Sequence, residues 1–312
     1  MGFFEVLTSL MVIVILVAAG FGFAKMGWIN ATTAPLLPQL VNRLALPTYM
    51  LWSFLSKFDR EHFFSLASGL IVPYSAMLLS FGFSILIGYA FKVPPERIGV
   101  FRSGFFASSA IFIGLPVCLA LFGDEVVPYV LIYFLANASL FWTLGNYSIS
   151  KSSMHGNNYP LFSRHTLQLV FSPPLVAFMI AIILVLLEVK LPSFLLESFK
   201  YLGSMVTPLS MLFIGYTLST VKYSDLTFDK DINLILVGRF VISPLLVIGV
   251  SYFIDIPYMM RQAFVVLSAL PVVAQLPILS SVYGLDTKYA AIVVSVTTLL
   301  CLFVIPIYMS IF

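Results

Sequence analysis

The chain has 312 residues, of which 61% are apolar and only 9% charged, with a mean hydropathy of +1.06. A soluble domain carries roughly 25% charge, so this chain cannot cover a water-facing surface and must use lipid as its solvent. That excludes a soluble enzyme, a nucleic-acid binder and a disulfide-stapled secreted scaffold, whereas the net charge of +3 says little, because in membrane proteins the placement of charge outweighs its sum.

A bilayer span needs ~20 mainly apolar residues. Ten such runs lie near 4–25, 34–56, 64–91, 99–122, 126–149, 166–187, 194–220, 232–254, 259–283 and 287–311. The first carries Glu5 and no early Lys or Arg, so it lacks the cationic start of a signal peptide and reads as a retained span. Turn signals separate the runs, among them Gly27-Trp28-Ile29-Asn30, Lys92-Val93-Pro94-Pro95-Glu96 and Gly123-Asp124-Glu125. The longest polar stretch, Ser150 to His165, divides the chain into a first five-helix repeat (1–150), a short cytoplasmic linker (151–165) and a second five-helix repeat (166–312). An odd number of spans per half inverts the second repeat relative to the first, if the halves are homologous. The halves share motifs in the same order: Pro47-x-x-Met50-Leu51 against Pro208-x-x-Met211-Leu212, Pro73 against Pro244, and Leu115-Pro116 against Leu276-Pro277, each of the last pair followed by a glycine, Gly123 or Gly284.

With the N-terminus outside, the inner loops carry nine Lys and Arg residues and the outer loops five. The bias predicts both termini outside and the central linker in the cytoplasm. Cys118 and Cys301 sit far apart in apolar runs without a CxxC spacing, so neither a disulfide framework nor a metal site is expected, and no cofactor motif is present. All thirteen Asp and Glu residues fall in loops or near span ends. A proton or sodium antiporter with a mid-membrane carboxylate relay is therefore not expected.

Spans four and nine hold the candidate site. Proline removes a backbone donor and clashes with the preceding turn, and in a bilayer the freed groups need a partner or a wet cavity. Gly114-Leu115-Pro116 is expected to break span four near its middle. Pro271 and Pro277 bracket Val272-Val273-Ala274-Gln275-Leu276 in span nine. Proline-interrupted segments at matching places in two inverted halves point to a transporter binding site, where half-helix N-termini offer unpaired N–H groups to an anion. An ordinary proline kink is the alternative for either break alone. Ser108, Ser109, Asn137 and Gln275 are the polar residues near the breaks, either as ligand contacts or as interhelical glue. Arg43 and Arg239 fall within spans. They either attract the substrate or snorkel to the interface.

These residues in this order resemble the auxin efflux carrier family, which includes plant PIN-type carriers and bacterial malate permease-like proteins. The likeness rests on Gly20-Phe21-Gly22-Phe23-Ala24-Lys25-Met26-Gly27-Trp28, Leu46-Pro47, Phe112-Ile113-Gly114-Leu115-Pro116, Ser172-Pro173-Pro174-Leu175, Thr207-Pro208-Leu209-Ser210-Met211, Leu270-Pro271 and Tyr283-Gly284. The resemblance implies an all-α polytopic membrane protein of ten transmembrane helices in two inverted five-helix repeats. Helices four and nine would be interrupted and cross at their prolines. Spans one, two, six and seven would form a scaffold carrying a homodimer interface, and spans three to five and eight to ten a transport domain. Ser109 and Gln275 stand where the family usually places Asn, giving a shorter hydroxyl and a longer amide at the pocket. The short central linker resembles that of bacterial members, which implies a bacterial inner membrane. The expected function is a secondary transporter, of efflux or permease type, for a small organic anion such as a carboxylate, working by alternating access. The alternatives are a cation-coupled symporter of the bile-acid type and a non-transporting membrane receptor or enzyme.

Overall fold

The computed structural model describes residues 3–57, 68–153, 173–220 and 229–311. Most of the expected linker, including Asn157, lies outside the described residues, as do the starts of the third and sixth runs. Within them every regular element is helical. The elements are α1 (Phe3–Lys25), α2 (36–57), α3 (Ser68–Ala90), α4a (Pro95–Phe106), α4b (Ala110–Phe122), α5 (Asp124–Lys151), α6 (Pro173–Leu186), α7 (Ser193–Thr220), α8 (Lys230–Ser251), α9a (Tyr258–Ser268), α9b (Leu276–Val282) and α10 (Thr287–Ile311). Each falls within one of the expected apolar runs or at its edge.

Four helices among the described residues, α3, α5, α7 and α8, are long and apolar enough to cross a bilayer, and α10, bent by 46°, makes a fifth. The fourth and ninth runs do not reach that standard because each is cut in two. Large apolar side chains such as Leu86, Ile180 and Leu245 are exposed, as expected where lipid rather than water is the solvent.

Proline shapes this fold through π turns. Three helices widen by one residue, at Val41–Ala45, Ala110–Gly114 and Gly238–Ile242. In each, a proline is the second residue beyond the turn: Pro47, Pro116 and Pro244. A proline ring clashes with the carbonyl one turn earlier and donates no hydrogen bond to it. The extra residue moves that carbonyl aside and lets the helix continue. A fourth π turn, Phe141–Gly145, has no following proline; there the Ser103 hydroxyl donates to the Gly145 carbonyl at 3.0 Å. The expectation that Pro116 breaks span four is thereby corrected. Pro116 sits inside α4b, and the chain breaks about two turns earlier, at Ala107-Ser108-Ser109.

The helices pack in two neighbourhoods. α1 runs along α7, and α2 packs on α6 and α7. The α1–α7 seam is backbone against backbone: a Cβ on Gly215 would lie 2.1 Å from the Val17 carbonyl oxygen, and one on Gly20 would lie 2.4 Å from that of Leu212. Small residues at such seams let two membrane helices approach closely. Phe54 and Phe178 join α2 to α6 edge to face, with ring centroids 5.0 Å apart. In the other neighbourhood α3 packs on α4a and α8, and α9b on α10. Hydroxyls pin it: Tyr74 to Ser139 at 2.8 Å and Ser80 to Ser243 at 3.0 Å.

Candidate functional site: the crossing of two broken helices

The two broken helices meet at their breaks. Ser108 and Val272 form an isolated antiparallel bridge, and the Ser109 N–H donates to the Pro271 carbonyl at 2.9 Å. Two short extended pieces thus satisfy part of each other's backbone. The next helix after each broken one supplies further partners. Asn137 of α5 accepts from the Ser108 N–H at 2.9 Å and donates to the Ser108 carbonyl at 2.8 Å. Thr297 of α10 accepts from the Val272 N–H at 3.2 Å. An unpaired backbone group in a membrane interior costs several kcal/mol, so these side chains are what allows the chain to leave helical geometry here.

The ends of the half-helices are treated unequally. A helix begins with N–H groups that have no partner and ends with carbonyls that have none, carrying roughly +0.5 and −0.5 charge. The C-terminal ends of α4a and α9a are both answered by Arg239 of α8, joined at Phe105 by the Ser243 hydroxyl. Arg239 is 0% exposed. Its Nη1 donates to the Phe105 carbonyl at 3.4 Å, its Nε to the Leu270 carbonyl at 3.0 Å, and its Nη2 to the Ser268 carbonyl. Arg239 does not snorkel to the interface: it is buried in the protein interior. It lies in the π turn Gly238–Ile242, which widens α8 where the guanidinium must reach inward.

The N-terminal end of α4b is left open. Among the described residues no backbone acceptor meets the N–H groups of Ala110, Ile111 and Phe112. The Ser109 hydroxyl, 4% exposed, also has no hydrogen-bond partner among the described residues, and the Ser108 hydroxyl, 1% exposed, lies beside the Tyr133 phenol. All five residues line a cavity of about 410 Å³. Its wall further holds Asn42, Arg43, Asn137 and Gln275. Arg43 sits in the π turn of α2, and no acceptor among the described residues pairs with its guanidinium. A second cavity of about 260 Å³ shares Asn42, Ser109, Phe112 and Gln275 with the first and adds Ala274, Pro277 and mostly apolar neighbours. Among the described residues no Asp or Glu lines either cavity.

The structure brings most of the sequence candidates together. Ser108, Ser109, Asn137, Gln275 and Arg43 line the first cavity, and Ala274 and Pro277 the second. Pro271 contributes its carbonyl to the bridge. Gly114 and Pro116 are buried in α4b; a Cβ on Gly114 would lie 2.6 Å from Leu267 and Leu270 side-chain atoms, so glycine there permits the close approach of α9. Asn137 spends both amide groups on Ser108, whereas the Gln275 amide, at the start of α9b, makes no protein hydrogen bond among the described residues. Sequence reasoning missed Asn42, Phe112 and Thr297. The pair Asn42-Arg43 in an otherwise apolar run was the available signal for the first. Thr297 offered none, since a threonine in a helix ordinarily bonds its own preceding turn.

A membrane-embedded helical chain with two helices interrupted around a cation-lined cavity has the architecture of a membrane transporter. A family model described as "Membrane transport protein" matches residues 5–309. An uncharacterized transporter of Methanocaldococcus jannaschii is 26% identical over 302 residues, covering 96% of each chain. The chain belongs to this auxin efflux carrier-like family of membrane transport proteins. It is an integral multi-pass membrane transporter and not an enzyme.

Proposed function

We propose that the protein is a secondary carrier for a small organic anion, and that the anion binds at the crossing of α4 and α9. One observation carries this reading: the negative ends of the half-helices are neutralised by Arg239 while the positive end of α4b, the Ser109 hydroxyl and Arg43 remain open to the cavity. The net field at the cavity is positive, and among the described residues no carboxylate lines it to repel an anion. A carboxylate would accept from the Ala110–Phe112 N–H groups and the Ser109 hydroxyl, with Arg43 and Gln275 on the facing wall.

In this reading the ten apolar runs are ten spans in two inverted repeats. α1, α2, α6 and α7 form a dimeric scaffold, and α3 to α5 with α8 to α10 form the moving transport domain. The two packing neighbourhoods and the matched latches, Asn137 after the first break and Thr297 after the second, support that division. Both termini face outward in the inner membrane of a bacterium. The cavity lies between the neighbourhoods, with Arg43 and Asn42 from α2 and the serines from α4, so relative movement of the two bodies would expose it alternately.

Counterflow in proteoliposomes with radiolabelled acetate, benzoate, succinate and citrate tests the reading. Exchange of at least one of these is expected. Saturable binding without flux would make the protein a receptor and overturn it.

A further inference from the structure

We infer that Arg239 is a built-in cation occupying the place where a coupling ion would bind, so that transport runs without sodium. In carriers with interrupted helices, coupling cations are held by unwound carbonyls and by the C-terminal ends of half-helices. This chain has such a place. The carbonyls of Phe105 in the last turn of α4a, of Ser268 at the end of α9a, and of Leu270 in the unwound segment all converge on one point. The guanidinium of Arg239 fills it, with the Ser243 hydroxyl also donating to the Phe105 carbonyl at 3.3 Å.

The charges match. Two half-helix C-termini present about −0.5 each, together about one negative charge. One guanidinium supplies one positive charge and does not deprotonate in a protein. A sodium ion would have to displace a covalently attached cation that already takes up these oxygens. The side chain is 0% exposed, so it has no route into solvent by a rotamer change. Arg239 is a positioning residue: it touches no substrate, but it holds together the ends of α4a and α9a on which the anion cavity is built. An exchangeable ion would leave this junction empty for part of each cycle. A tethered one keeps the crossing assembled throughout.

The transport arm of the test rests on the organic-anion reading; the sodium-binding arm does not. Purified wild-type protein is assayed for binding of radioactive sodium, and for uptake of the four labelled carboxylates under an inward sodium gradient or with choline at equal ionic strength. No saturable sodium binding is expected, and uptake should be equal in the two salts. Arg239→Ala should lose ~tenfold or more of the uptake, with partial recovery in millimolar guanidinium and none in choline. Arg239→Lys should fall between the two, since it keeps the charge and loses the fork. Saturable sodium binding by the wild type, or uptake stimulated by the sodium gradient, overturns the inference. So does guanidinium that restores thermal stability to Arg239→Ala without restoring uptake, which would make the side chain a strut alone. If Arg239→Ala does not fold, the wild-type arms and Arg239→Lys decide. If none of the four probes is taken up in any salt, the carboxylate reading fails by itself, and sodium binding still judges Arg239.

Discussion

Replacing Asn137 with alanine tests whether the break in α4 is held by a side chain from α5. The wild-type amide satisfies both the N–H and the carbonyl of Ser108, at 2.9 and 2.8 Å, in a place where Asn137 is 5% exposed. Each buried backbone group left without a partner costs about 1–3 kcal/mol, so Asn137→Ala has a gross penalty of about 2–6 kcal/mol. The adjoining cavity admits water to one side of Ser108, and interhelical hydrogen bonds in membranes contribute at most about 1.7 kcal/mol each in measured cases. The lower end is therefore expected, about 2 kcal/mol, or roughly thirtyfold in the folding equilibrium. Thermal denaturation in detergent, followed by size-exclusion chromatography, should show a lower midpoint. Carboxylate uptake should fall further than stability alone explains, because the open end of α4b depends on the same break. Tyr74→Phe is the control. It removes a hydroxyl contact of 2.8 Å to Ser139 and leaves the Asn137 hydrogen bonds to Ser108 in place, and should cost about 1 kcal/mol with uptake retained. Wild-type stability and uptake in Asn137→Ala would show that the break stands without its latch, and the account of the crossing would be wrong.

Other predictions concern the cavity, the seam and the topology. Gln275→Ala removes an amide with no protein partner among the described residues, so folded yield should stay near wild type while the affinity for the transported carboxylate, read as KM, weakens ~ten- to a hundredfold. Arg43→Gln should weaken KM by a similar factor and flatten its dependence on salt, since the lost contact is electrostatic; unchanged KM would place the anion away from the α2 wall. Gly215→Val puts side-chain atoms where the Val17 carbonyl of α1 already sits, and should abolish the folded, monodisperse peak in detergent; a normal peak would mean that α1 and α7 are not in backbone contact. A protease site placed at Asn157 should be cut only from the cytoplasmic side, as the nine-to-five distribution of Lys and Arg predicts; cleavage in intact cells from outside would invert the topology.

The sequence alone carried the class of the molecule. Composition placed it in lipid, and the length of the apolar runs located its helices, because lipid solvation leaves a spanning chain little choice but helix. The break in span nine was also readable. Pro271 removes a donor and Pro277 starts the next helix, so Val272 to Gln275 could not be regular. The cluster of Ser108, Ser109, Ala274 and Gln275 followed from proximity to the breaks.

Tertiary structure decided the rest. Pro116 carries the same local signal as Pro277, yet a π turn absorbs it. The helix breaks instead at Ser108-Ser109, where no proline stands, because Asn137 pairs with the Ser108 backbone and the Pro271 carbonyl accepts from the Ser109 N–H, both from far away in sequence. A break in a membrane helix is permitted by what satisfies the freed groups, and that is a property of neighbours, which periodicity and proline content cannot report. The same reason separates the two arginines. Both occupy π turns in apolar helices and read alike in sequence. Packing leaves Arg43 on a cavity wall and buries Arg239 against three carbonyls, because the C-terminal ends of two half-helices converge only once the chain is folded.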